Sequence, residues 1–400
     1  MRILVVCQYY YPEPFRITDI CETLVQKGHQ VTVLTGLPNY PEGYVLDEYR
    51  KGQRRNENLN GVEVIRCFEI GRGSKRLRLF LNYLSFALSG SLKAKALKES
   101  YDVVFVNQLS PVMMALPAIA YKRKHHKKML LYCLDLWPES LAAGGIAPGS
   151  FIYKIFLDIS RGIYGSADKI LVTSSMFKDY FANVLSMDTD NIRHLPQYAE
   201  DLFFEQPGTT DGQDNDAAFH FVFAGNIGEM QSVDTVVKAA NELRDYKNIA
   251  FHIVGDGAKL DYCRDLAHGY GLENIHFYGR RPVEEMPHYY SMASAMLITL
   301  TDNQALSYTL PGKIQSYMAA GKPIIGAING ETARVIREAG CGLCCAAEDF
   351  HGLADSILRF TGCDEKEKMA AKAQEYYLRN YGKEQFLHGL EQELISLAEL

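Results

Sequence analysis

Short runs of β-branched and apolar residues recur along the chain, separated by stretches whose apolar positions repeat every three or four residues. In the first half the runs are "RILVVC" (2–7), "QVTVLT" (30–35), "VEVIRC" (62–67), "DVVFVN" (102–107), "KMLLYCLD" (128–135) and "KILVTS" (169–174). Between the first two, Ile17, Ile20, Cys21 and Leu24 share one face of a helix that Gly28 is placed to end. Strands that are apolar throughout, joined through helices, predict a parallel sheet covered on both faces. A second series follows: "HFVFAGN" (220–226), "AFHIVGDG" (250–257), "IHFYGR" (275–280), "AMLITL" (295–300) and "PIIGAI" (323–328). Between the two series lies "EQPGTTDGQDNDAAF" (205–219), polar, acidic and rich in Gly and Asp, which reads as a linker or surface loop. The expectation is an α/β protein of two doubly wound, Rossmann-like domains, 1–204 and 205–381, with a C-terminal helix at about 382–400 packing back onto the first. Such sheets take ligands at the carboxyl ends of their strands.

With 47% hydrophobic and 22% charged residues in a chain of 400, composition agrees with an ordinary two-domain globular protein. Two uncharged stretches fail as membrane spans. Val103–Tyr121 contains Asn107, Gln108, Pro111 and Pro117, and Leu79–Leu92 is too short. The opening "MRILVVCQYYYPEP" has no basic segment or cleavage site of a secretory signal. Nine scattered cysteines fit a reducing compartment, and Cys341 and Cys344, though at redox spacing, read as buried thiols in a strand. Charge divides unevenly. Residues 1–200 carry 25 Lys and Arg against 19 Asp and Glu, and the remainder 17 against 29, so the net −6 is +6 and −12. The first half is therefore the one suited to an anionic surface.

Chemistry concentrates at the strand ends of the second series. Gly225, Asn226 and Gly228 follow its first strand, Gly255, Asp256 and Gly257 its second, and Gly279 and Arg280 its third. Exposed amides at such turns can meet a phosphate. Further on, "YTLPGKIQSYMAAG" (308–321) places Lys313 at a helix start behind Pro311 and Gly312.

Taken together, "YYYPEP", "KGHQVTVLTGLPNYPEG", "DLWPES", "AGNIGEMQS", "VGDG", "YGRRPVEEMP" and "LPGKIQSYMAAGKPIIGAINGET" resemble glycosyltransferase family 4 enzymes of GT-B fold, in the WbuB-like group that builds bacterial surface polysaccharides such as capsule and O-antigen. The resemblance runs along almost the whole chain. It implies two Rossmann-like domains facing across a cleft, a nucleotide-sugar on the second and an acceptor on the first. It also implies transfer with retention of anomeric configuration and no required metal or other cofactor. The donor it implies is a UDP-sugar carrying an N-acetylated hexose derivative, and the acceptor an undecaprenyl-diphosphate-linked saccharide. The matching location is cytoplasmic, peripheral on the inner face of the cell membrane, without nucleic acid.

Two departures stand out. Tyr308 and Ser316 occupy the places of a Glu-x7-Glu pair that many relatives carry, and the usual Arg and Lys after the first strand of the second domain are absent from "GNIGEMQS". Lys313 and Arg280 are the available substitutes. On this reading the amides of Thr309, Leu310 and Gly312 face the diphosphate, Lys313 supplies charge, and Ser316 reaches a ribose hydroxyl.

In the first domain Asp135 ends a strand, and Glu139 lies in the same loop. Asp135 is placed either as a base or to orient the acceptor, with a helix cap as the bland alternative. Trp137, the only tryptophan, either covers a sugar or packs. Pro14, Arg16, Asn39 and Tyr40, on the loops after the first two strands, are the acceptor candidates. Arg16 either meets an acceptor phosphate or pairs with Glu13 or Asp19. Asp188 and Asp190 in "DTD" read as a turn, and His125 and His126 as part of a solvated basic run.

Residues 75–98 place Leu77, Phe80, Leu81, Leu84 and Leu88 on one helical face, with Lys75, Arg76 and Arg78 before them and Lys93, Lys95 and Lys98 after. Such a helix lies in an anionic membrane interface or covers a core. The rival functions are an epimerase of similar architecture, which needs no acceptor surface, and a nucleotide-sugar-binding protein without catalysis.

Overall fold

A computed structural model describes residues 1–73, 75–139, 141, 146, 147, 149–204 and 219–400. By internal contacts the chain divides into two units, Met1–Leu195 with Leu387–Leu400, and Pro196–Phe386. Of the expected linker, residues 205–218 lie outside the described residues, and Phe219 begins a strand.

The first unit holds an eight-stranded sheet. Its strands are β1 (Arg2–Val6), β2 (Gln30–Thr35), β3 (Asn56–Leu59), β4 (Val62–Arg66), β5 (Val103–Gln108), β6 (Lys128–Cys133), β7 (Lys169–Val172) and β8 (Ile192–His194), in the order β3-β4-β2-β1-β5-β6-β7-β8. All neighbours are parallel except β3 and β4. That pair is a hairpin turned at Asn60 and Gly61, both at positive φ. Asn-Gly is a strong hairpin signal, yet the polar run "NENL" carries no strand-like apolar pattern, so β3 escaped the sequence reading. Its helices are α1 (Ile17–Gln26), α2 (Arg76–Ala96), α3 (Leu116–His125), α4 (Phe151–Tyr164) and α5 (Phe177–Asn183). β1 is buried from Ile3 to Val6 because helices cover both faces.

Helix α2 turns Phe86, Ala87, Gly90 and Ala94 inward. Leu77, Phe80, Leu81, Leu84 and Leu88 are exposed, Leu77 by 71% and Leu88 by 58%. The apolar stripe is thus not core. Among the described residues no helix is long and apolar enough to cross a membrane.

The second unit has six parallel strands, β9 (Phe219–Ala224), β10 (Ile249–Val254), β11 (Ile275–Gly279), β12 (Ala295–Thr299), β13 (Ile324–Ala327) and β14 (Gly342–Cys345), ordered β11-β10-β9-β12-β13-β14. Its helices are α6 (Val233–Glu242), α7 (Leu260–Gly269), α8 (Met286–Met292), α9 (Gln304–Ser307), α10 (Lys313–Ala319), α11 (Gly330–Ala339), α12 (Phe350–Thr361) and α13 (Lys366–Asn380). Along β9 the side chains alternate between two cores. Phe221 and Phe223 join one cluster, Val222 and Ala224 the other. A last helix, α14 (Lys383–Ala398), belongs to the first unit from Leu387 on. There Glu391 accepts from Lys27 and pairs with His29. All nine cysteines are free, and burial pushes the Cys341 thiol up to about 12 and that of Cys344 up to about 11. Neither offers a thiolate for redox work.

Across β9, β10 and β11 runs a row of rings. Fully buried His252 bonds His220 through Nε2 (3.0 Å) and the Tyr278 hydroxyl through Nδ1 (2.8 Å), with the His276 ring at 5.4 Å. Burial, then His220 and His276, lowers the His252 pKa to about 3. Its folded value lies below its unfolded value near 6.5, so the neutral ring stabilises fully above that pH and less as pH falls. A histidine-selective NMR titration of the full chain should find His252 neutral at pH 5. A protonation midpoint above about 5.5 would remove this account.

Candidate functional site

At the carboxyl ends of β9, β10 and β11 the chain makes turns that are bonded to one another. Gly225 N donates to Val254 O, Ile227 N to Asp256 O and Gly255 N to Gly279 O, each at 2.9 Å. Gly255 has φ +148°, and a Cβ there would sit 1.8 Å from Gly225 O, so only glycine lets the two turns pass. Gly225, at φ +141°, meets a different neighbour: its Cβ would lie 2.9 Å from Lys313 Nζ. Gln231, which the sequence reading did not single out, sets the first turn. Its Oε1 accepts from Asn226 Nδ2 (2.9 Å) and Gly228 N (3.1 Å). Asp256 Oδ1 accepts from Gly257 N (2.7 Å), and Arg280 is exposed beyond Gly279.

Lys313 opens α10. Its Nζ is closed off from solvent, lies 4.0 Å from the centre of the Phe223 ring and has no hydrogen-bond partner among the described residues. Burial lowers its pKa to about 7. An ammonium without a bonded acceptor costs free energy, which an arriving anion can recover. Since α10 has only seven residues, the anion argument rests on this side chain and not on the helix end.

The other expected contributors have these surroundings. The Thr309 amide donates to Leu306 O (3.0 Å), so it is already used. Leu310 is buried in the core, and Tyr308 is 9% exposed. Ser316 is buried and its hydroxyl donates back to Gly312 O (3.4 Å). Gly312 has an ordinary helical φ of −57° and stays exposed.

In the first unit, Asp135 follows β6. Its Oδ2 accepts from Ser110 N (3.2 Å) and its carbonyl from Gln108 Nε2 (3.2 Å). Desolvation raises its carboxyl above the usual range against the Ser110 bonds, and because the residue keeps exposed surface, water limits the shift. Asp135 is thus not a helix cap; it bridges the ends of β5 and β6. Glu139 Oε1 accepts from the hydroxyls of Tyr153 and Tyr180, which hold it in place. Trp137 is buried edge-on against Phe156 (5.0 Å), so it packs and does not cover a sugar.

Pro14 is exposed, Arg16 half-buried at the start of α1, and Tyr40 37% exposed. Asn39 is not open to an acceptor. Wholly buried, it donates to Leu37 O (2.8 Å) and accepts from Arg72 N (3.0 Å) and Asn82 Nδ2 (3.3 Å). Glu13 is likewise no surface partner for Arg16, being buried among backbone amides. Asp188 Oδ1 accepts from Asp190 N (3.0 Å), which closes a turn ahead of β8, and His125 stacks on Tyr121 (4.2 Å).

A sequence profile of Glycosyltransferase Family 4 matches residues 16–197, and one of Glycosyl transferases group 1 matches residues 211–376. Between them the two account for most of the chain. The chain is a glycosyltransferase. This glycosyltransferase is 24% identical over 340 residues to a protein of Escherichia coli K12 named as the colanic acid biosynthesis glycosyl transferase WcaI, spanning 80% of this chain and 82% of that one. It is 26% identical over 311 residues to a Pseudomonas aeruginosa protein named as glycosyltransferase WbjE, spanning 73% and 74%. Among solved structures it is similar to Anabaena Alr3699/HepE in complex with UDP, with a TM-score of 0.72, 14% identity, and 99% of this chain and 100% of that one covered. That likeness shows the GT-B fold of the enzyme.

Because the turns after β9 and β10 share one narrow passage, Gly255→Ala should lower the stability of the enzyme by at least about 2 kcal/mol. Unchanged melting would show that the two backbones do not pass this closely.

Proposed function

We propose that this glycosyltransferase moves an N-acetylated hexose derivative from a UDP-sugar onto an undecaprenyl-diphosphate-linked acceptor during bacterial surface polysaccharide synthesis. The observation that carries the reading is the unpaired, buried ammonium of Lys313 beside the glycine turns after β9 and β10. A diphosphate supplies the missing anion there, with a charge-assisted hydrogen bond to Nζ. HepE was crystallised with UDP, and WcaI carries colanic acid biosynthesis in its name, which supports the donor and pathway classes. In the proposed retaining transfer the acceptor hydroxyl attacks the anomeric carbon on the face that UDP leaves. The bond to the phosphate oxygen breaks, and that oxygen takes the hydroxyl proton. Asp135 orients the acceptor in the first unit, and no metal is required. Incubating the enzyme with a donor panel and a membrane lipid extract, then weighing the products, tests the whole reading.

Lys313→Ala should weaken UDP binding about ten- to hundredfold, the loss of one charged hydrogen bond, with little change in melting. Asp135→Asn should leave UDP affinity intact and lower turnover. Calorimetry that finds equal UDP affinity in Lys313→Ala, or a donor loss in Asp135→Asn, reverses the assignments.

We also propose that α2 docks on an anionic membrane. Its exposed leucines enter the interface, and Lys75, Arg76 and Arg78, exposed at its start, gather headgroups. Each such cation adds about 1 kcal/mol near an anionic surface, screened by salt. Replacing the three with Ser should reduce sedimentation with anionic vesicles and spare activity on a short soluble acceptor. A variant that sediments like the parent at low and moderate salt overturns this docking.

A further inference from the structure

Glu13 lies 4% exposed between two loops and is bonded to both. Its Oε1 accepts from Asn39 N (2.9 Å) and Tyr40 N (2.8 Å), on the loop after β2, and its Oε2 from Tyr10 N (3.3 Å), on the loop after β1. The two loops together form an aromatic cluster. Tyr9 stacks on Phe15 (5.1 Å), Phe15 leans on Tyr40 (5.4 Å), and the Arg72 guanidinium lies 5.5 Å from the Tyr40 ring centre. Ring faces edged by a guanidinium suit a sugar that carries negative charge nearby. A buried network backs the cluster. Asn39 Oδ1 accepts from Arg72 N and Asn82 Nδ2, and Glu69 Oε1 accepts from Asn82 Nδ2 (2.6 Å) and Gln8 Nε2 (2.7 Å).

We propose that Glu13 is a positioning residue for the saccharide acceptor, its carboxylate holding the loops after β1 and β2 in the arrangement that presents Phe15 and Tyr40, with buried Tyr9 stacked behind Phe15. The proposal rests on reading the first unit as the acceptor-binding unit. A carboxylate buried in this way and facing three amides ties the two loops together, which an apolar side chain of the same size would not do. Removing it leaves amide donors without their acceptor, and the loops lose their register.

Titration gives the proposal a signature. Burial raises the Glu13 carboxyl to about 7, while the three amides and Arg66 oppose the rise. The charged and titratable groups facing it are Cys7 and Tyr9 on the loop after β1, Arg66 on β4 and Glu69 after β4. A proton settles on Oε2, which has one long amide contact, because Oε1 holds two short ones. The Tyr10 amide then loses its acceptor, so the loop after β1 loosens as pH falls through about 7. Glu13→Gln places an amide where that proton would be, and the variant imitates the acidic form at every pH.

The test uses the full chain with a donor and lipid-linked acceptor on which the parent turns over. Glu13→Gln should raise the acceptor KM about tenfold, the loss of one charged hydrogen bond, with donor KM unchanged. The parent's acceptor KM should rise as pH drops from 8 to 6, and that of Glu13→Gln should stay flat at the higher level. Hydrogen exchange should show faster opening of residues 8–16 in the variant, with the Asn39 and Tyr40 amides still protected. An acceptor KM and pH profile like the parent's, donor and acceptor KM rising together, or unchanged loop exchange would each overturn the proposal. Should Glu13→Gln fail to fold, the parent alone decides: protection of the Tyr10 amide, corrected for intrinsic rate, must fall between pH 8 and 6 while Asn39 and Tyr40 stay protected. A parent that transfers to no saccharide acceptor refutes the acceptor reading itself, a result distinct from a parent that transfers while Glu13→Gln matches it.

Discussion

A parallel strand can be followed by another only if the chain is carried back across a face of the sheet, and every other feature of this protein follows from that. Crossovers cover both faces, so the strands must be apolar throughout, as β1 and β5 are. Crossovers also leave the loops that follow the parallel strands at one edge of each sheet. In the second unit that edge gathers Gly225, Gly255 and Gly279, joined by backbone hydrogen bonds. In the first it gathers Glu13, Asn39 and Asp135. The polar chemistry of each unit is therefore confined to one rim by the requirement that its backbone groups be paired.

Desolvation then tunes that chemistry, and with opposite sign on the two rims. Burial disfavours charge whatever its sign, so it pulls the Lys313 ammonium down to about 7 and lifts the Glu13 carboxyl to about 7. One rim thus holds a cation short of an anion, and the other a carboxylate surrounded by donors. Glu69, fully buried and bonded by Gln8 and Asn82, is likewise held well above the usual carboxylate range, by burial first and then by repulsion from Glu13. These groups are costly to keep, and the packed sheets on which they stand keep them.

Strand positions were legible because apolar runs of five or six residues leave little choice of structure, and eleven such runs correspond to eleven of the strands in the two sheets. β3 was hidden, since an edge strand can be polar on both faces. Site residues were legible by type and much less by role. Glycines at strand ends pointed to close backbone approach, and Gly255 shows it. Asn39 looked like surface chemistry in the sequence and Trp137 was open to either reading, yet both are buried, because composition does not say which way a loop side chain turns.

Residue order by itself determined the α/β architecture, the two series of strands, the glycine turns and the stripe along α2, because each depends on periodicity or on a neighbour a few positions away. Only the tertiary structure decided which distant groups meet. Gly36 must lack a side chain because a Cβ there would lie 1.7 Å from the Glu69 carboxylate, and Lys313 at the start of α10 lies over Phe223 of β9. Neither relation leaves any local pattern. Burial and hydrogen bonding between remote segments are set by how the sheets and helices close on one another, so the pKa values and the free or used state of each candidate donor became readable only in the folded chain.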